Sequence, residues 1–499
     1  MLDSIIKQPN ARCFLIEPAP GERALEAAEI ERRVHSAASH LRSLGVLAGD
    51  RVLFCGDQGL PAFIAFWATV GIGAALAPVD PTWPMLMCRR ALAKIEPRLT
   101  IIESSRDDSP WRELFGCTQL VPVDSQGRMG DASTEGSSPA EVPGTAPAAC
   151  LFTSGSTADP KVVVLSRDAL LRSGRLVVDS FSWSVGERLL NLADPHTMSG
   201  LRNAFLAAPL AGMRWICAPR DGRADIFSLV ELLSRVSAQR IVAAPLLLRQ
   251  LNLLGARVPP HLFRSTLALY CTGTDLNSRE VQRFHARFGV PIVNYYGLTE
   301  TVGLCLTQRL EHWRPDDSSI GYPVGCEIRI VDEQDNEVAM GSEGELHVRQ
   351  CCGMSGYLAD SKATAEILRD GWLRTGDLVR QRADGSVVIV GRRANFIKAP
   401  TTEKVHPREI EAVLEEHELV AEAAVCGLPD TAGGERIAAL LVGRSASCAG
   451  DCSPGEIAQF VSERLGSARA PKVIRWVGSI PRSANGKIVR ARLSERFND

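Results

Sequence analysis

Thr153-Ser154-Gly155-Ser156-Thr157-Ala158-Asp159-Pro160-Lys161 lies between two apolar runs, residues 148–152 and 162–165. Hydroxyls and a glycine between two strand-like runs, closed by a lysine, suit a loop that holds an anion. Glycine lets the backbone fold tightly enough for successive N–H groups to point at phosphate oxygens. The hydroxyls add donors, and Lys161 adds a compact positive charge. The G-x-x-x-x-G-K-[ST] spacing of a P-loop is absent. A Ser/Thr/Gly/Pro cluster between strands is also an ordinary turn, so the meaning of this loop depends on the loops that accompany it.

The chain has 499 residues, more than one hydrophobic core accommodates, and two or more domains are expected. A net charge of −2 gives no electrostatic case for nucleic acid or an anionic membrane surface as partner. The 14 cysteines lack zinc spacing: Cys351-Cys352 are adjacent, and Cys448 and Cys452 have no second pair. Without a visible secretion signal they read as reduced, mostly buried thiols of a cytoplasmic protein. Residues 59–79 carry no charge and are long enough to span a bilayer. Pro61, Gly71, Gly73 and Pro78 interrupt them, however, and a buried helix over 61–70 followed by a buried strand over 74–79 is expected, with no stable membrane insertion.

Helical spacing over 22–44 ends at Gly45, and a strand at 51–55 precedes the buried pair. A helix at 89–96 and a strand at 99–103 continue an alternation that predicts an α/β domain with a largely parallel sheet. Residues 124–147, rich in Ser, Gly, Pro and Ala, read as a surface connection. Ser166 can cap a helix to about Val178. Beyond it come a helix over 226–237, strands over 240–244 and 267–271, a helix opened by Asn277 and closed by Gly289, and a strand over 291–294. From Gly325 the texture turns to short β-like runs, with Asp384-Gly385 as a hairpin turn. Residues 407–464 then read as α+β. The expected organisation is a large N-terminal domain, residues 1–393, of layered α/β subdomains plus a small β-rich part, and a mobile C-terminal α+β domain, residues 394–499.

Further loops sit just after apolar strands, where ligands bind in α/β sheets: Thr272-Gly273-Thr274, Asn294-Tyr295-Tyr296-Gly297-Leu298-Thr299-Glu300-Thr301, Arg374-Thr375-Gly376-Asp377 and Asn485-Gly486-Lys487. In this order, with Val79-Asp80-Pro81, Gly344-Glu345-Leu346, Gly356-Tyr357, Gly391-Arg392 and Gly427-Leu428-Pro429-Asp430, the chain resembles the acyl- and aryl-adenylate-forming superfamily. That superfamily comprises acyl-CoA synthetases, peptide-synthetase adenylation domains and beetle luciferases, and the resemblance covers nearly the whole chain. It implies an AMP-forming ligase that turns a small carboxylic acid and MgATP into an acyl-adenylate and pyrophosphate. A thiol, commonly that of CoA, then displaces AMP. A carrier protein or an amine as acceptor, and a non-catalytic nucleotide-binding homologue, are the alternatives.

By that resemblance, Thr153, Ser154, Gly155, Ser156, Thr157 and Lys161 hold the β- and γ-phosphates. Glu300 ligates Mg²⁺ and Thr299 contacts the α-phosphate. Asp377 accepts the ribose hydroxyls with Arg392 beside it. Tyr296 stacks on adenine, with Asn294, Tyr295, Gly297 and the Gly273-Thr274 backbone around it, and Lys487 bridges the carboxylate and the α-phosphate. Each has a plainer reading: Asp377 as a turn former, Glu300 as a solvated helix start, Lys487 as a hairpin lysine.

His196, in Asp194-Pro195-His196-Thr197-Met198-Ser199-Gly200, resembles the position where acyl- and aryl-CoA ligases carry histidine and amino-acid-activating domains carry aspartate; a core histidine is the alternative. The acid pocket is expected from the stretch after His196, from Thr272, from Tyr295 and from 301–304, Thr301 included. Arg202 and Asn203 belong to that stretch, with Arg202 either pairing with a second anionic group of the substrate or lying on a helix surface. Two features depart from the family. Ala158 and Val162 replace glycines in the opening loop, and Ala394 with Lys398-Ala399-Pro400-Thr401-Thr402-Glu403-Lys404 replaces the usual hinge and its glycine-bearing loop. The second departure bears on the acceptor rather than on adenylation.

Overall fold

The computed structural model describes residues 13–17, 24–106, 110–115, 118–130, 142–153, 161–217, 226–273, 276–350, 353–398, 404–430, 435–444, 452–482 and 487–497. They fall into two compact units, Met1–Glu327 with Val348–Leu373, and Ile328–His347 with Arg374–Asp499.

The charge-free stretch is a helix, Leu60–Ile72, followed by the strand Ala75–Val79. Pro61 occupies its first turn, where a missing N–H costs nothing, and Gly73 ends it at φ 95°. At 13 residues the helix spans about 20 Å, short of a bilayer core. It is apolar on nearly every side because protein surrounds it: Phe63 packs on Phe14, Phe205 and Trp215 at centroid distances of 5.8, 5.5 and 5.9 Å. Among the described residues no helix is long and apolar enough to cross a membrane.

The helix packs near a seven-stranded sheet ordered Gly356–Tyr357, Lys161–Ser166, Pro147–Thr153, Ala75–Val79, Arg51–Cys55, Leu99–Glu103, Gln119–Val123. Its last four strands are parallel, as the alternation predicts, and the Pro147–Thr153 and Lys161–Ser166 strands form an antiparallel hairpin. A nine-stranded sheet contains Arg188–Asn191, Arg240–Ala243, Ala268–Cys271 and Ile292–Leu298 side by side and parallel. The apolar faces of both sheets and of the Leu60–Ile72 helix share one core.

Most expected elements appear within a few residues. Ser166 caps Arg167–Phe181 by accepting from the Ala169 N–H at 3.3 Å, and Asn277 caps Ser278–Phe288, which Gly289 ends at φ 71°. Three expectations need correction. The first helix begins at Ala27, because Leu25–Glu26 pairs antiparallel with Leu15–Glu17. Asn294–Leu298 belongs to the strand Ile292–Leu298, which pairs with Gly303–Thr307. Arg374–Asp377 lies inside the strand Trp372–Gln381 rather than in a loop after one. In both latter cases an antiparallel partner later in the chain extends the strand through the motif. Of 124–147, residues 131–141 lie outside the described residues, and 124–130 is a turn in which the Asp124 carboxylate accepts from the N–H groups of Gln126 and Arg128.

The second unit holds, from Arg374 on, the strand Trp372–Gln381, which pairs antiparallel with Val387–Arg392 and sets Asp377 opposite Arg392. It also holds a three-stranded sheet, Val420–Pro429, Glu435–Gly443 and Val473–Trp476, against which the helices Pro407–Leu414 and Pro454–Leu465 bury Ile410, Leu414, Ile457 and Val461. None of the ten described cysteines forms a disulfide and six of them are buried; Cys117, Cys351, Cys352 and Cys448 lie outside the described residues.

Candidate active site

In the first unit the parallel strands set the site. Cys271 stands opposite Asn294 in register, so Thr272-Gly273 leaves its strand beside Tyr295. Gly273 has φ 93°, a left-handed turn that favours glycine. The segment leading to His196 leaves the same end of the sheet after Asn191. These are the carboxyl ends of the strands, where open α/β sheets bind ligands. Thr274 lies outside the described residues, as do Ser154, Gly155, Ser156 and Thr157 of the opening loop.

The stems of that loop are described. Thr153 faces Lys161 across the hairpin. The neighbouring strand Gly356–Tyr357 brings Tyr357 opposite Val163, and Lys161 Nζ sits 4.8 Å from the Tyr357 ring centroid. Tyr357 Oη donates to Glu300 Oε1 at 2.8 Å, and the Met354 N–H donates to the Glu300 carbonyl at 3.0 Å. The segment 354–357 thus ties the Glu300 turn to the anion-loop hairpin. Burial, with the Glu300 charge adding to it, pushes the Tyr357 phenol well above its usual pKa, so it stays a donor.

The Glu300 turn is tightly held. Thr301 Oγ1 accepts from the Leu298 N–H at 2.8 Å and lies 3.0 Å from the Leu298 carbonyl and 2.9 Å from that of Gly303. The Thr301 hydroxyl therefore fixes the turn, and the residue is 1% exposed. Val302 has φ 53°, and a Cβ on Gly297 would meet the Gly303 carbonyl oxygen at 1.5 Å, so glycine is obligatory at 297. Thr299 closes the same turn through its carbonyl, which accepts from the Val302 N–H at 3.0 Å. Along the strand Tyr295 and Tyr296 point to opposite faces. Tyr295 Oη accepts from Asn203 Nδ2 at 3.4 Å, which places Tyr295 beside Asn203 and on the face opposite Tyr296. Asn294 Nδ2 donates to the Ser319 carbonyl at 3.0 Å.

His196 is 9% exposed by side chain and its Nε2 lies 3.5 Å from Asp80 Oδ2. Neither ring nitrogen makes a hydrogen bond among the described residues. Asp80 ends the Ala75–Val79 strand, and its other oxygen accepts from the N–H (2.8 Å) and hydroxyl (2.7 Å) of Thr82. Gly200 is required by geometry: a Cβ there would stand 1.8 Å from the Asp194 carbonyl oxygen. Its own carbonyl accepts from Asn191 Nδ2 (3.1 Å) and Gln58 Nε2 (3.3 Å). Thr197 caps the short helix Met198–Arg202, which runs into a π-turn, Asn203–Ala207. Arg202 and Asn203 are each 0% exposed, which removes the surface reading of Arg202.

In the second unit Asp377 is 3% exposed, and its Oδ1 accepts from Arg392 Nε at 2.6 Å. Beside the pair, Thr375, Gly376, Arg392 and Arg393 line a cavity of about 350 Å³. Glu345 stiffens this region, accepting from the Gly376 N–H at 3.2 Å and from Arg393 Nη1 at 2.8 Å. Lys487 is exposed and stands beside the antiparallel Arg482–Ile488 bridge. Three residues on, Arg490 forms a two-armed pair with buried Glu411 at 2.8 and 3.0 Å.

Sequence reasoning gave no role to Tyr357, Asp80 or Glu345. Each stood in a quoted motif, but its partner is remote in the chain. A Mg²⁺ site would fit Glu300: it is part-buried rather than sealed, and Mg²⁺ retains waters and takes one or two carboxylates plus phosphate oxygens rather than a closed cage. Among the described residues no group of three or more His, Cys, Asp or Glu converges.

Comparison with known proteins agrees with this geometry. Residues 3–358 match the AMP-binding enzyme family and residues 409–487 the AMP-binding enzyme C-terminal domain. An indoleacetate–CoA ligase from Aromatoleum aromaticum is 29% identical over 94% of this chain and 92% of its own length. The fatty acid–[acyl-carrier-protein] ligase ScoC of Streptomyces coeruleorubidus is 28% identical over 95% and 92%. The fold matches ATP-bound MatB from Rhodopseudomonas palustris with a TM-score of 0.90 at 22% identity, covering 100% of this chain and 98% of that one. The chain belongs to the AMP-binding enzyme family, within the adenylate-forming superfamily, and is an AMP-forming acid ligase.

Proposed function

We propose that the chain activates a small carboxylic acid without an α-amino group as its acyl-adenylate and passes the acyl group to CoA. A carboxylate oxygen attacks the α-phosphorus, the bond to the β-phosphate oxygen breaks, and pyrophosphate leaves. The CoA sulfur then attacks the acyl carbon, the acyl–phosphate bond breaks, and AMP leaves while the thiol proton goes to solvent. Charge shifts among phosphate oxygens in the first step, so positioning and electrostatic stabilisation dominate it. Lys161 and the opening loop hold the leaving pyrophosphate, Thr299 contacts the α-phosphate, and Tyr296 carries the adenine. Asp377 accepts the ribose hydroxyls, and Lys487 neutralises the oxygens that react. His196 faces the acid carboxylate. Glu300 would hold Mg²⁺, which would supply charge neutralisation. Thiols outside any disulfide among the described residues fit a cytoplasmic setting.

The observation that carries this reading is the Lys161–Tyr357–Glu300 arrangement, which joins a phosphate-holding charge to a metal-binding carboxylate through one phenol. Acid-dependent exchange of labelled pyrophosphate into ATP across a panel of acids tests the first half, and a thioester detected by mass spectrometry after adding CoA tests the second. Exchange with no acid at all sinks the reading. Exchange without thioester would shift the acceptor to a carrier protein, the acceptor in the name of the ScoC relative.

A further inference from the structure

We infer that Glu345 is a positioning residue for the nucleotide: it holds the turn that carries Asp377 in the shape that accepts two vicinal ribose hydroxyls. The inference rests on the ribose role given to Asp377 above and adds the group that sets its aim.

The cavity of about 350 Å³ beside Asp377 is lined by Thr375, Gly376, Arg392 and Arg393. Three of these four are held by Glu345 and Leu346 on the neighbouring strand Glu343–Gln350. Glu345 Oε1 accepts from the Gly376 N–H at 3.2 Å, and its Oε2 accepts from Arg393 Nη1 at 2.8 Å. The Thr375 hydroxyl donates to the Leu346 carbonyl at 2.7 Å and accepts from the Asp377 N–H at 3.0 Å. Adjacent arginines therefore go to two different carboxylates, Arg392 to Asp377 and Arg393 to Glu345.

Gly376 has φ 71°, and a Cβ there would meet no atom within 4 Å. Glycine is present for its backbone and not for space. The same freedom lets the peptide leading into Asp377 rotate unless its N–H has a fixed acceptor, and Glu345 is that acceptor. Glu345 is 7% exposed, so its carboxylate gives up most of its hydration. A methionine would fill the same volume without that cost. It could not accept from the Gly376 N–H and from Arg393 at once. Hydrogen bonds weaken steeply as their angle falls, so a rotated turn would cost Asp377 a hydroxyl before it cost the fold.

The test is acid-dependent pyrophosphate exchange with ATP, 2′-deoxyATP and 3′-deoxyATP. The wild type should favour ATP over each deoxynucleotide by about 10–100-fold in kcat/KM, the worth of one hydrogen bond to a charged acceptor. Glu345→Met should lower both ratios about 5–10-fold with the KM for the acid unchanged, and Glu345→Gln, which keeps an acceptor for the Gly376 N–H, should retain part of them. Because Glu345 acts through Asp377, adding Glu345→Met to Asp377→Asn should lower the ratios no further than Asp377→Asn alone. A residue needed only for folding would lower the melting temperature and slow all three nucleotides alike; unchanged ratios of that kind, or additive losses in the double variant, overturn the inference and leave the ribose role of Asp377 standing. If Asp377→Asn keeps the ratios, the ribose role falls and takes the inference with it, while the exchange itself still supports acid activation. If no acid supports exchange, all three fall together. Should Glu345→Met fail to fold, Glu345→Gln alone and with Asp377→Asn decides the matter.

Discussion

Glu300 in the first unit and Lys487 in the second stand in different surroundings, one part-buried and one exposed. Glu300 sits on a turn closed by the Thr301 hydroxyl, with Tyr357 donating to its carboxylate and the Met354 N–H to its backbone. Lys487 is exposed beside the Arg482–Ile488 bridge, and three residues on Arg490 pairs with buried Glu411. A carboxylate proposed to hold a metal throughout binding benefits from preorganisation. If, as proposed, Lys487 acts in one step, it needs reach more than rigidity, and a segment anchored three residues away at Arg490 suits that.

This contrast can be broken experimentally. The largest effect is expected for Lys487→Ala: acid-dependent pyrophosphate exchange should fall by roughly 10²–10³-fold, with thermal stability unchanged because the side chain is exposed. Exchange at near wild-type rate would show that the tail is dispensable for adenylation. Glu411→Ala should act the other way, costing about 3 kcal/mol in denaturant unfolding of the second unit, because it strands Arg490 and an N–H of Val425 at a buried position. An unchanged unfolding midpoint would show that the tail is anchored elsewhere. Tyr357→Phe removes one hydrogen bond to Glu300, and the KM for MgATP should rise about 5–10-fold; no change would mean that the turn alone positions Glu300.

Two smaller effects sharpen the comparison. His347, 0% exposed in the second unit, has its pKa lowered by burial, against the nearby Glu345 charge that raises it. Between that lowered value and its unfolded value of 6.5 the unfolded chain binds more protons, so stability falls as pH drops below about 6.5 and levels off beneath the folded pKa. His347→Gln should flatten this slope in pH-dependent melting, and an unaltered slope would assign it to other groups. Asp80→Asn should lower kcat/KM for the acid roughly 2–5-fold through His196, with the KM for ATP unmoved. A matching rise in the KM for ATP would mean that Asp80 shapes the fold rather than the acid site.

What the sequence revealed divides along local and remote lines. The strand–loop alternation, the caps at Ser166 and Asn277 and the turn at Asp384-Gly385 were legible because each depends on residues within a few positions of one another. The pairing of Asp80 with His196 and of Tyr357 with Glu300 was not, because sheet topology alone brings those residues together. The motifs at 294–298 and 374–377 read as loops because their strands continue only on account of antiparallel partners that arrive later in the chain. Arg202 was ambiguous for another reason. Nearly every residue from Met198 to Ala211 is buried, so no amphipathic stripe marks an inner face, and the π-turn shifts the periodicity that would have helped.

That π-turn has a consequence for how such a chain can be edited. Relative to a regular helix it contains one surplus residue, which rotates the turn before it by about 100° against the turn after it. Deleting one residue between Asn203 and Ala207 would therefore swing Arg202 and Met198 out of their present places while leaving Ala208–Ala211 seated in the core. Point changes at 202 or 203 leave that offset intact. A chain built this way can exchange the side chains of this helix one at a time, whereas a change of length in it would move all of those before the turn at once.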